Sequence, residues 1–157
     1  HALAHRAFEQ GITIAEKIAG ADPKPVIDDT VPQVVFSFPE AASVGLTLDQ
    51  AKAREDVVEP KETAYPMLSN ARMLMSGEGG SMTVVSGAFA NNPDMQVVLG
   101  VHIVSPIASD LIAEAEQLVG NRVPLADAAR LIHPHPTFSE TLGEALLKAD
   151  GRPLHTR

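Results

Sequence analysis

The chain has 157 residues, of which 45% are hydrophobic, so it is long enough to bury one core without disulfides or metals. Asp and Glu number 20 and Lys and Arg 12, and the resulting net charge of −8, without a local basic patch, argues against a nucleic-acid or anionic-membrane surface. Zero cysteines exclude a structural disulfide, a thiolate metal site and a thiol nucleophile within this chain.

Membrane insertion and secretion are not predicted. The longest apolar runs are broken by Gly100, His102 and Pro106, well short of the ~20 residues that a membrane span requires. No secretory signal opens the sequence. We therefore expect an intracellular protein, located in the cytoplasm.

The first predicted element is an amphipathic helix that ends at a proline-rich linker. Its apolar positions at helical spacing are Phe8, Ile12, Ala15 and Ala19. This spacing alone predicts that one face of the helix packs against the rest of the protein. Two prolines within residues 21–25 then stop the helix and hold the chain extended.

Strand, turn and short helix are predicted next. Residues 31–38 form a β-branched and aromatic run typical of a strand, and residues 41–47 are interpreted as a turn. A capping-type start over residues 47–50 predicts a short helix. Residues 64–75 suggest a short strand and a turn.

A hairpin is predicted in the middle of the sheet. Four glycine-rich residues, 77–80, indicate a loop before a strand over residues 82–89. A turn at residues 91–94 separates that strand from a nearly all-apolar strand over residues 97–104, which we expect to be central. His102 within this strand is interpreted as a buried, hydrogen-bonded structural residue rather than a catalytic one.

Two helices are predicted after the hairpin. The buried face of the first is formed by Leu111, Ile112, Ala115, Leu118 and Val119. Its acidic residues Glu114 and Glu116 turn away from that face, towards solvent. Residues 124–132 are predicted to form a second, short helix. The elements together predict an α+β fold in which helices pack on a mostly antiparallel sheet.

The most informative run, residues 132–140, sets an imidazole and a carboxylate five positions apart across a proline-stiffened turn. Pro136 fixes its own φ and disfavours the α region for His135. Residues 137–140 have the pattern of a capping box, which places Glu140 in the first turn of a helix. Glu140 is then placed to hold one ring nitrogen of His135 and to favour the imidazolium, while the other nitrogen faces a substrate.

Two other interpretations of this run remain open on the residues alone. His133 and His135, with Glu140, are a possible metal site, but the run offers no cysteine and no further clustered ligand. Alternatively the histidines are structural and Glu140 only caps its helix, in which case the chain is a dimerisation or binding module.

This run also resembles the C-terminal signature of the pyridine nucleotide-disulfide oxidoreductases. The matching residues are His133, His135, Pro136, Thr137 and Glu140. Two histidines before Pro-Thr are typical of the dihydrolipoamide dehydrogenase branch, whereas glutathione reductase-like members usually carry one. His133 therefore favours the lipoamide branch over a glutathione-, mycothione- or metal-ion-reductase relative.

Two further segments resemble the same family. Residues 1–11 are similar to a helix whose N-terminal end points at the flavin, and this likeness makes Ala4 the cofactor-binding position. Residues 36–47 are similar to the first strand of the family's interface domain. The resemblance implies that residues 1–25 are a helix and linker from the end of an FAD domain. It implies that residues 26–157 form a dimerisation domain with a five-stranded sheet.

The resemblance implies a catalytic role for His135 and Glu140 in a full-length homodimer. There His135 takes the proton of a dihydrolipoamide thiol and Glu140 orients the ring, with FAD and NAD as cofactors. The implied partners are the dihydrolipoyl domains of 2-oxo acid dehydrogenase complexes, and His133 is expected to support the loop or the interface. The resemblance places the redox cysteines and nearly all contacts for both cofactors outside this chain, so we expect the chain alone to bind neither cofactor tightly and to turn over no substrate. We also expect it to hold no metal.

Overall fold

The computed structural model describes residues 2–156 as one antiparallel sheet with helices packed on it, which confirms the predicted α+β class. The strands are β1 (Gln33–Val35), β2 (Glu40–Gly45), β3 (Val57–Pro66), β4 (Ser81–Phe89) and β5 (Asn92–Ser105). The α-helices are α1 (Ala4–Ile18), α2 (Leu48–Ala53), α3 (Ala71–Ser76), α4 (Ala108–Gly120), α5 (Leu125–Ala128) and α6 (Glu140–Ala149). Two short 3-10 turns cover Asp28–Thr30 and Met67–Ser69.

The five strands lie in the order β1-β2-β5-β4-β3, and every neighbouring pair is antiparallel. The apolar strand β5 is therefore central, as predicted, and β4 and β5 form the predicted hairpin. Because β5 has a strand on each side and side chains covered on both faces, nearly all of its residues from Val97 to Ile103 are buried.

The core divides into two clusters on the two sides of the sheet. The larger cluster lies between the sheet and the helices α4, α5 and α6, and includes Val101 and Leu142. A smaller cluster lies under α2 and includes Leu46 and Leu99. The predicted buried face of α4 is confirmed, since all five of its predicted apolar residues are buried.

Two strand predictions were wrong at their boundaries. The run over residues 31–38 forms a strand only at β1, and the segment interpreted as a turn, residues 41–47, supplies most of β2. The small side chains of β2 gave no strand signal, and their pairing with β1 and β5 decides the conformation.

The segment of residues 64–75 also differs from its prediction. Strand β3 begins earlier, at Val57, and α3 follows a 3-10 turn. Strand β3 is an edge strand with a bulge between Val58 and Lys61, so it tolerates Pro60 and charged residues. These residues interrupt the alternation of apolar and polar side chains by which a strand is predicted. The helix predicted over residues 124–132 is limited to α5.

Helix α1 forms as predicted, but the predicted packing of its apolar face within this chain is wrong. No residue of α1 is buried, and Phe8 and Ile12 are exposed. The helix is held instead by polar contacts at its start, where Arg6 pairs with Asp28 at 2.7 Å and the His5 ring contacts a backbone carbonyl. Its apolar face is therefore open within residues 2–156.

The short helix α2 begins with the predicted capping box. The Gln50 N–H donates to the Thr47 hydroxyl at 3.2 Å, and the Thr47 N–H donates to the Gln50 side-chain oxygen at 2.9 Å. This exchange satisfies two N–H groups that the first helical turn leaves free. Across residues 2–156, no helix combines the length and apolar character that crossing a bilayer demands.

Candidate functional site

The predicted histidine run lies on a loop between α5 and α6. Residues 131–139 of this loop adopt no regular secondary structure, and the His135–Pro136 peptide bond is cis. Glu140 is the first residue of α6, as predicted. The loop therefore delivers the imidazole and the helix delivers the carboxylate.

The predicted contact between His135 and Glu140 is present. The His135 Nδ1 lies 2.8 Å from Glu140 Oε1, and the Thr137 N–H donates to the second carboxylate oxygen, Oε2, at 2.7 Å. A carboxylate only accepts hydrogen bonds when ionised, so Nδ1 carries the proton in this pair. One carboxylate therefore fixes both the ring and the backbone of the loop.

The predicted capping box over residues 137–140 is only half formed. Glu140 reaches back to the Thr137 N–H, as a capping box requires. The Thr137 hydroxyl instead donates to the carbonyl of Pro134 at 2.6 Å and contacts the Ser139 hydroxyl at 2.9 Å. The Thr137 hydroxyl is therefore not available to cap α6. The N-cap residue of α6 is Ser139.

The exposure of the two side chains suits proton exchange with a bound molecule. The His135 side chain is 70% exposed and that of Glu140 is 20% exposed. Desolvation by burial works against ionisation of Glu140, but the Thr137 N–H and the His135 ring outweigh it and lower the pKa of the Glu140 carboxyl. A charged carboxylate thus holds one ring nitrogen while the ring stays accessible.

His133 has a different partner from His135. Its Nε2 lies 2.7 Å from Glu114 Oε1 on α4, and its side chain is only 9% exposed. The ring also lies against α6 at Gly143, where an added Cβ would come within 2.6 Å of His133 Nδ1. The structure thus gives His133 the contacts of a residue that fixes the loop to α4 and α6.

The metal-site interpretation gains no support, since the two rings bind separate carboxylates. Among residues 2–156, no group of three His, Asp or Glu side chains is arranged to hold a metal ion. A metal site needs several ligands that converge on one point.

The His133–Glu114 pair is expected to make stability depend on pH. The Glu114 carboxylate raises the pKa of His133, although burial opposes the shift. A raised pKa in the folded state gives stability that is fully present below the ordinary value of 6.5 and is lost as pH rises through the folded value. Glu114→Gln should therefore lower the free energy of unfolding more at about pH 6 than at about pH 9.

Denaturant unfolding at the two pH values measures this difference. The matched control is Glu116→Gln on the same helix, because the Glu116 carboxylate contacts a neighbouring glutamine and no histidine. An equal loss for Glu114→Gln at both pH values would contradict the charged pair.

A second imidazole–carboxylate pair beside the first was missed by sequence reasoning. Glu144 lies one helical turn after Glu140, and its Oε1 is 2.8 Å from His155 Nδ1. Both pairs line one pocket together with Asn70 and residues of α3. The spacing of two glutamates on one helix face was readable from the sequence, but the return of His155 to that face was not.

The two remaining sequence candidates lie away from this pocket. His102 is half-buried, and its Nε2 lies 3.1 Å from the Leu46 carbonyl oxygen, so it is hydrogen-bonded as predicted, although less buried. Ala4 is the first residue of α1, whose N-cap Leu3 offers no side-chain hydrogen bond. The N–H groups of that first turn therefore have no side-chain cap.

Comparison with known proteins gives a match over most of the chain. The family model described as "Pyridine nucleotide-disulphide oxidoreductase, dimerisation domain" matches residues 31–146. The chain is 40% identical over 154 residues to a dihydrolipoyl dehydrogenase of Bacillus subtilis and 41% identical over 155 residues to one of Cupriavidus necator. Each alignment covers 98% of this chain and 31% of the relative, so the chain spans about a third of the length of these proteins.

A solved structure with the same fold supports the match. The crystal structure of LpdA from Mycobacterium tuberculosis superposes with a TM-score of 0.82 and 29% sequence identity, over 94% of this chain and 31% of LpdA. The resemblance inferred from the histidine run is thereby confirmed at the level of the domain. The match over residues 31–146 shows that the chain belongs to the dimerisation-domain family of the pyridine nucleotide-disulphide oxidoreductases.

Proposed function

We propose that the chain is the C-terminal dimerisation domain of a dihydrolipoyl dehydrogenase and that His135 and Glu140 are its acid–base pair. The observation that carries this proposal is the 2.8 Å contact between His135 Nδ1 and Glu140 Oε1 on a ring that is 70% exposed. The relatives in Bacillus subtilis and Cupriavidus necator, both named dihydrolipoyl dehydrogenases, support the substrate class. The reaction is the oxidation of dihydrolipoamide to lipoamide in the full-length enzyme.

The proposed chemistry begins with a proton transfer at the free nitrogen of His135. A thiol attacks a disulfide only as its thiolate, so a base must remove the proton from the dithiol substrate. His135 Nε2 accepts this proton, because Nδ1 is already held by Glu140. The ionised Glu140 carboxylate then stabilises the imidazolium, and the same His135 returns the proton in the reverse reaction.

The start of the chain fits a place beside FAD. The first-turn N–H groups of α1, from Ala4 onwards, have no side-chain cap, and the positive pole of a helix favours negative charge. When bound, FAD supplies the two-electron link between the dithiol and NAD. We place residues 1–25 at the end of the FAD domain, because no residue of α1 is buried against residues 26–156. No residue of this chain is assigned to NAD.

The proposed partners are a second copy of the full-length protein and the dihydrolipoyl domains of a 2-oxo acid dehydrogenase complex, in the cytoplasm. Exposed apolar side chains near β1, at Val35, Phe36 and Phe38, support a contact with another chain. His102, paired with Ser43 and Thr83, borders the same part of the sheet. A homodimer would cover this surface, and in it His135 of one subunit would act at the flavin of the other, as the family resemblance implies.

The proposal is tested by two assays. The full-length protein that carries this domain should reduce NAD with dihydrolipoamide, and it should purify with FAD. The chain of 157 residues alone should be colourless and inactive, because nearly all contacts for both cofactors are expected outside it. A yellow, active preparation of the chain alone, or a full-length protein without dithiol turnover, would contradict the proposal.

A further inference from the structure

We infer that Asn70 is a positioning residue that holds the His135 loop in its reactive geometry, and this inference rests on the proposed function. His135 lies on a loop without regular structure and is largely exposed, so its own packing does not fix it. A proton acceptor must be held within a fraction of an ångström of its working position. The contacts that hold the loop therefore bear directly on turnover.

Both ends of the Asn70 side chain are used, and Asn70 itself is only 5% exposed. Its Oδ1 accepts from the Met73 N–H at 3.0 Å and so caps α3. Its Nδ2 donates to the carbonyl of Thr137 at 3.1 Å, across 67 residues of sequence. The Thr137 N–H meanwhile donates to Glu140 Oε2. Asn70 therefore binds the carbonyl of Thr137 and Glu140 binds its N–H, and Thr137 lies two positions after His135.

A second contact joins the same two segments. The Arg72 guanidinium lies 5.4 Å from the centre of the Phe138 ring, next to Thr137. This distance is within the range of cation–π attraction. Asn70, Leu74 and His135 also line the same pocket. The N-cap and first turn of α3 thus contact the loop at Thr137 and Phe138, whereas α4 contacts it at His133.

The two functions of the amide can be separated by substitution. Serine is a strong N-cap residue, so Asn70→Ser keeps an acceptor for the Met73 N–H. The shorter serine hydroxyl cannot also reach the Thr137 carbonyl. Asn70→Asp likewise keeps the cap but replaces the donor with an acceptor that repels that carbonyl. Both variants therefore preserve α3 while they release the loop.

The experiment compares these variants in the full-length protein. We expect Asn70→Ser and Asn70→Asp each to lower the kcat for dihydrolipoamide–NAD turnover by ~10-fold or more, as for a displaced catalytic group. NADH-to-dye activity, which needs the flavin but no dithiol base, should stay at the wild-type level. The thermal unfolding midpoint of Asn70→Ser should fall only modestly, because the cap is retained and one buried hydrogen bond is lost, and that of Asn70→Asp should fall further, because a carboxylate is buried against a carbonyl. Asn92→Ser, at an exposed asparagine that begins β5, is the matched control and should leave both activities unchanged.

The outcomes separate this inference from the proposed function. If His135→Gln impairs dithiol turnover while both Asn70 variants keep the wild-type kcat, the positioning role of Asn70 is wrong and the acid–base pair stands. If dye activity falls in the same proportion as dithiol turnover, Asn70 is only structural and the inference is overturned. If His135→Gln itself is fully active, the proposed function fails and the inference fails with it.

Discussion

Replacing His135 with glutamine in the full-length protein is expected to lower dihydrolipoamide–NAD turnover by ~10² or more, the usual effect of removing a general base. Glutamine keeps a polar group of similar reach, but it accepts no proton from a thiol at neutral pH. The Glu140 carboxylate, 2.8 Å from His135 Nδ1, would then lose the ring that it orients. Steady-state NADH formation measures the effect.

The control for this variant is a second activity of the same enzyme. Reduction of a dye by NADH requires the flavin but not the dithiol base, so it should remain near the wild-type rate in His135→Gln. A loss of both activities would indicate a damaged enzyme rather than a missing base. Unchanged dithiol turnover would mean that His135 is structural and that the chain is a dimerisation module.

Adding one methyl group at Gly100 is expected to cause a large loss of stability. Gly100 lies in the central strand β5, and a Cβ there would come within 2.2 Å of the Leu46 carbonyl oxygen and 2.9 Å of its nitrogen. Both contacts are with backbone, and the Leu46 N–H is tied to β5 by a 2.9 Å hydrogen bond to the Leu99 carbonyl, so Leu46 has little freedom to move away. Gly45 makes the reciprocal approach to the Leu99 carbonyl with φ +79. We expect Gly100→Ala to lower the free energy of unfolding by about 3 kcal/mol.

Denaturant unfolding of the chain measures this loss. The matched control is Gly11→Ala in α1, because a Cβ at Gly11 would meet nothing within 4 Å. Alanine is the better helix former, so this variant should not lower the unfolding midpoint. A Gly100→Ala protein with the wild-type midpoint would show that β5 and the β2–α2 connection move apart without cost.

Much of the fold was predictable where the pattern is local. The β4–β5 hairpin, helix α4 and the capping box at Thr47 all follow from side-chain period and turn residues. Strands β2 and β3 were missed or misplaced, because their small or charged residues lack a strand signal and their pairing with neighbours decides the conformation. The exposed apolar face of α1 was also not predicted, because an amphipathic pattern does not indicate whether that face packs within the same chain.

The contacts of the candidate site were likewise predictable only where the two residues are close in sequence. His135 and Glu140 lie five residues apart, so a short motif was enough to predict their contact. Glu114 contacts His133 across 19 residues, and Asn70 contacts the loop across 67. No local sequence pattern predicts contacts across such separations, because they arise when α3 and α4 pack against the loop. The contact between His135 and Glu140 was thus predictable, whereas the contacts of Asn70 and Glu114 with the loop were not.

Mixing two inactive full-length variants tests most directly whether His135 acts at the flavin of the partner subunit. One variant is His135→Gln and the other lacks a redox cysteine of the FAD domain. In the proposed homodimer, His135 of one subunit serves the flavin of the other, so a mixed dimer has one intact site. Random assembly of a two-fold dimer should then restore about one quarter of wild-type dithiol turnover. Mixed dimers that form but remain inactive would contradict the claim that this domain supplies the base to its partner.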